Sequence, residues 1–256
     1  MARSYAPPRP PEKRVEFKLL GEQWPFFNSQ AYAPALLGGR GSGKTMASGV
    51  KGMVFAFSHA GAHGVLTGPT YDVIRTRMMP AIRKAFGEVE GVEWEFKRAD
   101  HEIRFRNGSL IYLRPAEDPE KCRGFTIAFF GMDEVAIGLQ EESFVHLQIG
   151  LRQELNDENG NPVKRQGWVT STPHWRKPWI KKRWLHHVNP GTGKRLPSED
   201  YPIFRANTED NYHNGEDFLE ELLATVPGER FKAQELRGEF IDVQGPGFPE
   251  FDPRIH

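Results

Sequence analysis

Residues 38–45 read GGRGSGKT, with Ala35-Leu36-Leu37 directly before them. The eight residues fit G-x-x-x-x-G-K-[ST] at every fixed position, the pattern whose glycines let successive backbone N–H groups turn inward onto phosphate oxygens. The apolar triplet runs into glycine as a buried parallel strand does. After the loop, Met46, Val50, Met53, Val54 and Phe57 recur at helical spacing, which predicts a helix over 44–58. Strand, glycine loop and helix in that order predict a nucleotide-triphosphate site. Gly38, Gly39, Arg40, Gly41, Ser42, Gly43, Lys44 and Thr45 are its expected cradle. Lys44 would reach the outer two phosphates, the Thr45 hydroxyl would hold Mg²⁺, and the helix would point its positive end at the anion.

The totals set bounds on everything else. A chain of 256 residues suits one large α/β domain, or a core with a small appended subdomain. With 34 basic and 34 acidic residues there is no global field to draw in nucleic acid or membrane, so any DNA contact must be a local patch. One cysteine, Cys122, excludes a disulfide framework and fits a reducing compartment. No stretch has the apolar length that spans a bilayer, so a soluble, non-secreted protein without membrane partners is expected. Residues 1–14 carry proline and charge without periodicity and read as a mobile arm. A little over a dozen residues ahead of the loop stands Gln23, spaced as a reader of the adenine edge, since an amide donates and accepts at once. Gln30 is its rival.

The second half of the site is predicted further along. GVLTGPT at 64–70 reads as a strand entering a loop, and 71–86 as an amphipathic helix whose Arg75, Arg77, Arg83 and Lys84 make a basic, solvated face. Residues 92–97 and 102–114 read as antiparallel strands, the latter folded at Asn107-Gly108. IAFFGM at 127–132 is apolar and ends in Asp133-Glu134. A buried strand ending so supplies an aspartate for the metal and a glutamate that polarises the attacking water as a general base. Gly131, inside that strand, marks a close backbone approach. Arg123, beside Gly124, could be presented outward to a neighbouring subunit's γ-phosphate; Arg40 is the competing choice within one subunit. Residues 168–173, WVTSTP, read as a strand whose terminal Ser171, Thr172 and Pro173 are placed to sense the γ-phosphate. HWRKPWIKKRWLHH at 174–187 is the densest basic and aromatic stretch, and Lys181, Lys182 and Arg183 are its candidate DNA contacts, against the alternative that its rings face the core. Two amphipathic helices follow at 217–226 and 228–236, then a strand and a proline-glycine segment.

Taken together, GGRGSGKT, GPTYD, RG ahead of FFGMDE, TSTP, TEDN at 208–211 and RGEFIDV followed by GFPEF resemble the ATPase domain of tailed-bacteriophage terminase large subunits. The resemblance runs from about Leu19 to the end. It implies an α/β, additional-strand P-loop NTPase of RecA-like type: a mostly parallel sheet with helices on both faces, an inserted β-hairpin and a small helical lid. It divides the chain into an arm (1–18), an ATPase core (19–200), a lid (201–243) and a linker (244–256) towards a nuclease domain, from which no residues are assigned and no cleavage is expected. By the same resemblance, ATP and Mg²⁺ are the cofactors and the activity is hydrolysis coupled to translocation of double-stranded DNA into a procapsid. The implied partners are a portal protein, a small terminase subunit and sister copies in a ring, a pentamer, in the host cytoplasm and at the portal vertex. Arg123 becomes the preferred trans-acting finger and Ser171-Thr172-Pro173 the coupling segment. Two other readings stay open: a P-loop helicase or repair ATPase, and a nucleotide-gated binding module without turnover.

Overall fold

The strand before the loop, β1 (Ala35–Gly38), is buried along its whole length because both its edges and both its faces are covered. In this computed structural model, which describes residues 15–137, 140–174, 177–225 and 228–241, β1 lies between two parallel neighbours, β7 (Gln166–Ser171) and β8 (Ile203–Ala206). The other strands are β2 (His63–Gly68), β3 (Trp94–Lys97), β4 (Glu102–Phe105), β5 (Leu110–Pro115) and β6 (Phe129–Asp133). Their order is β3-β4-β5-β2-β6-β7-β1-β8, with antiparallel pairing confined to the two pairs that involve β4. β7 therefore separates the loop strand β1 from the acidic strand β6. Among the chain's expectations, the mostly parallel sheet is met, and the hairpin turning at Asn107-Gly108 extends it, since β5 pairs parallel with β2. The strand β8 joins the same sheet although its residues were counted with the lid.

Side chains alternate between two cores. Leu36, Leu66 and Phe129 face one, with Val50 and Met53 of α2 (Lys44–Ser58). Leu37, Val65 and Phe130 face the other, with Phe144 and Leu147 of α5 (Gln140–Gly150). The aromatic character of β6 has a cross-strand explanation. Phe129 stands opposite Gly64, Phe130 opposite Gly167, and Gly131 opposite Trp168. A Cβ at any of these glycines would run into the facing ring. Each ring thus lies over a neighbour with no side chain, and the Trp168 indole N–H still reaches Ser48 Oγ at 2.9 Å. Gly131→Ala is expected to destabilise the fold by about 1–3 kcal/mol, the scale of overpacking a filled core. Equilibrium unfolding in urea measures it, and an unchanged midpoint would mean the indole has room to move.

The predicted helix over 71–86 is present but interrupted: α3 (Tyr71–Val73), a π-helical turn (Ile74–Met78), then α4 (Met79–Phe86). Pro80 has no N–H to give the Thr76 carbonyl, and a wider turn just before it accommodates the loss. Ahead of the sheet, α1 (Gln23–Asn28) is fastened to α2 by Lys51, whose ammonium donates to the carbonyls of Phe26, Phe27 and Ser29 at 3.4, 2.7 and 3.1 Å. Burial pulls that lysine's pKa down to about 7. Of the arm, residues 1–14 lie outside the described residues, whereas Phe17 packs on Phe27 and Phe86.

The basic stretch corrects one expectation. It forms α6 (Pro178–Ile180) and a π-helical turn (Lys181–Leu185) whose Trp179, Ile180 and Trp184 are buried in the second core. Arg183 is buried with them at 2% exposure, its guanidinium 4.8 Å from the Phe144 ring, so it is withdrawn from the DNA-contact set. Lys182 is exposed and Lys181 half-buried; Trp175 and Arg176 lie outside the described residues. The last elements, α7 (Glu216–Thr225) and α8 (Gly228–Arg237), match the two predicted helices, and the whole of the expected linker, 244–256, lies outside the described residues.

Candidate functional site

The loop between β1 and α2 turns through Gly41 and Gly43, at φ of 71° and 79°, a backbone region closed to most side chains. The first turn of α2 leaves its N–H groups without helical acceptors, directed into the loop. Lys44 is buried and folds back, donating to the carbonyls of Gly38 (3.0 Å) and Gly39 (2.6 Å) and lying 3.3 Å from Thr172 Oγ1. Burial lowers its pKa, opposed by the charges of Glu134, Asp133 and Glu235. A phosphate oxygen, charged where these carbonyls are neutral, would be a stronger acceptor for the same ammonium.

Across the sheet, β6 delivers Asp133 to the loop. Its carboxylate accepts from Thr45 Oγ1 at 2.6 Å and from Thr170 Oγ1 at 2.5 Å. A hydroxyl and a carboxylate in contact form a hard-oxygen pair of the kind Mg²⁺ selects, so the residues present fit that ion. Glu134 follows at φ 55°, a strained position for a residue with a side chain. Its carbonyl is held by the Ile137 N–H (3.0 Å) and by Gln140 Nε2 (3.2 Å). Burial raises the Glu134 pKa and Asp133 adds to the rise, while Lys44, Arg77 and the Thr172 N–H oppose it. A carboxylate so placed keeps proton affinity above the ordinary range, as a base needs.

The end of β7 joins the two halves. Thr172 Oγ1 donates to the Gly38 carbonyl at 2.9 Å, and Ser171 Oγ accepts from the Ala136 N–H at 3.0 Å. One short segment thus touches both the phosphate loop and the turn after Glu134. A cavity of about 750 Å³ spans this centre, with Pro173, Ile137 and Phe218 on its walls.

Other sequence candidates lie elsewhere. Gln23 is 2% exposed and sits under the loop: Nε2 donates to Ser42 O at 2.6 Å and Oε1 accepts from Leu20 N–H at 3.0 Å. With its amide engaged on Leu20 and Ser42 it braces the loop, and it does not line the cavity. Gln30 is exposed beside Lys51, in a different cavity. Arg123 is 63% exposed on its loop, 3.1 Å from Glu120, and does not line the cavity of its own chain.

Sequence reasoning passed over two groups. Arg77, assigned to a solvated face, lines the cavity and acts on Glu134, because the π-helical turn carries it there. The lid side also grips the loop: Thr208 Oγ1 donates to Arg40 O (2.7 Å), while Asn211 and Asn214 amides donate to Gly41 O (2.5 and 3.2 Å). The TEDN segment was visible as a motif, but its spacing of about 170 residues from the loop hid its contact.

Strand order, glycine loop and the acidic pair facing Thr45 define a P-loop NTPase in which an extra strand stands between loop and acidic strand. The family model for the N-terminal part of T4likevirus-type terminase large subunits matches residues 35–254, and the chain belongs to that family. Among solved structures, the large terminase of a thermophilic bacteriophage is 16% identical over 94% of this chain and 58% of its own, with a TM-score of 0.68. The same protein in complex with ADP gives 16%, 85%, 52% and 0.65. The ATPase domain of the Thermus phage P74-26 large terminase is 21% identical over 88% of this chain and 95% of its own, at 0.57. At these identities the likeness bears on the fold. The chain spans about 58% of the first of these proteins and nearly all of the P74-26 ATPase domain. No curated protein matched by sequence.

Proposed function

We propose that this chain binds ATP with Mg²⁺ and hydrolyses it as the motor domain of a viral DNA-packaging machine that translocates double-stranded DNA into a procapsid. The single observation that carries the hydrolytic reading is the Thr45–Asp133 hydrogen bond across the sheet, with Glu134 next in sequence and inside the same cavity. Family membership and the complex of a structural neighbour with ADP support the choice of nucleotide.

In this reading Lys44 exchanges the Gly38 and Gly39 carbonyls for phosphate oxygens. Thr45 and Asp133 hold the Mg²⁺, whose charge offsets that of the phosphates when bound. Glu134 orients water and takes its proton on the carboxylate. Arg123 serves the site of a neighbouring copy in a ring on the portal, a pentamer in the family's terms, with a small terminase subunit as a further partner. Loss of the γ-phosphate is felt first by Thr172, which contacts Lys44 and Gly38. Ser171 then passes the change to the Glu134 turn. Lys181 and Lys182 are retained as DNA contacts. The working place is the host cytoplasm and the portal vertex; among the described residues no helix is long and apolar enough to cross a membrane.

The test is ATP binding and turnover with and without Mg²⁺. Lys44→Ala is expected to weaken ATP by about 10–100-fold, the scale of one or two charge-assisted hydrogen bonds. Titration with a fluorescent ATP analogue reads this, and equal affinity for the variant would remove the loop from the site.

A further inference from the structure

An acidic side chain that hydrolysis does not use stands at the mouth of the phosphate loop. Glu235, on α8, is 15% exposed in its side chain and pairs with the 69% exposed Arg40, Nε to Oε2, at 2.6 Å. Its other oxygen accepts from Gln234 Nε2 at 2.8 Å, a second hold on the carboxylate. Its backbone carbonyl accepts the Arg40 N–H at 2.7 Å. One residue of α8 therefore engages Arg40 through both main chain and side chain. Its charge also acts on Lys44, beside those of Glu134 and Asp133.

These are the groups a nucleotide would use. Arg40 and Lys44 are the two cations of the loop, and a phosphate oxygen and a carboxylate compete for the same N–H donors. The contact is also a hard stop. A Cβ on Gly39 would overlap the carbonyls of Glu235 and Leu236, so α8 already touches the loop and cannot yield inward. Any displacement of the helix backbone away from an incoming phosphate therefore takes the end of α8 outward.

We propose that Glu235 is an internal competitor for the phosphates: it holds Arg40 and the end of α8 on the loop until nucleotide displaces it. Binding then moves Arg40 from carboxylate to phosphate and loosens α8, which hands the occupancy of the site to the segment that follows. The idea rests on the loop being a phosphate site, the reading given above.

The experiment compares ADP affinity by calorimetry in the wild-type chain, Glu235→Gln, Arg40→Gln and the double variant, with thermal unfolding as a check on folding. Glu235→Gln keeps the shape and the backbone contact and removes the charge. It is expected to tighten ADP by about fivefold or more, the scale of one unit charge acting through a partly screened surface. In the Arg40→Gln background the gain should fall below about twofold, because the contested guanidinium is gone and the two changes share one interaction. Hydrogen exchange adds a second reading: ADP should speed exchange at the C-terminal amides of α8 in the wild type, and Glu235→Gln should exchange fast without ADP. Unchanged or weaker ADP binding in Glu235→Gln, or strict additivity with Arg40→Gln, overturns the proposal while leaving the nucleotide site intact. A wild-type chain that binds no ADP overturns both. If Glu235→Gln does not fold, the exchange response of wild-type α8 to ADP decides, and no response overturns it.

Discussion

Replacing Glu134 by Gln is expected to slow ATP turnover by about a thousandfold, within the range for loss of a positioned general base, while ATP binding stays within about threefold. The argument is geometric before it is electrostatic. A residue with a Cβ is held at φ 55°, and its carbonyl is clamped by Ile137 N–H and Gln140, while Ser171 fixes Ala136 two residues on. Such strain persists only where surroundings over-determine it. Here the result is to put the carboxylate in the cavity beside Lys44 and Asp133. Burial and the neighbouring Asp133 raise its proton affinity, and Lys44, Arg77 and the Thr172 N–H limit the rise. Gln retains the acceptor for Thr172 and the volume, and loses only the ability to take a proton. Phosphate release measured alongside nucleotide affinity separates the two effects. Turnover within tenfold of wild type would place the base elsewhere.

What the sequence made legible was local. The loop, its strand and its helix lie within 35–58, and the acidic pair ends a recognisable apolar run, so pattern and chemistry coincide. Gly131 could be flagged as a close approach, but its reason, the indole of Trp168 on the next strand, needed the register. The basic stretch held its own answer: Trp179, Ile180, Arg183 and Trp184 recur on one helical face, and Lys182, Leu185 and His186 on the other, which matches their burial and exposure. Of the two readings kept open there, the one with the rings facing the core holds, and Arg183 goes inward with them. Arg77 was hidden for the opposite reason, because a π-helical turn changes the angular step on which periodicity relies. The grip of Thr208, Asn211, Asn214 and Glu235 on the loop joins residues far apart in the chain. No local pattern encodes a contact of that kind.

Arg123→Ala is expected to lower turnover of the assembled motor by about a thousandfold or more, the range for an arginine supplied to a phosphoryl-transfer site, with little effect on isolated chains. Its placement makes an action in its own cavity hard to arrange. The side chain is 63% exposed and pairs with a 70% exposed Glu120, a pairing of small energy that a better anion would break. It projects from the loop that packs on α5, outside the cavity wall. A second chain is the simplest source of the phosphate it would meet. Mixing decides the matter. In a head-to-tail ring, an Arg123→Ala subunit keeps its Glu134, and an adjacent Glu134→Gln subunit keeps its Arg123. Random one-to-one mixing of the two inactive variants then creates intact sites at about one junction in four, since each site draws on two subunits. Turnover should recover towards that fraction of wild type. Full activity of assembled Arg123→Ala would end the trans role, and an inactive variant that no mixture rescues would return the arginine to its own subunit's chemistry.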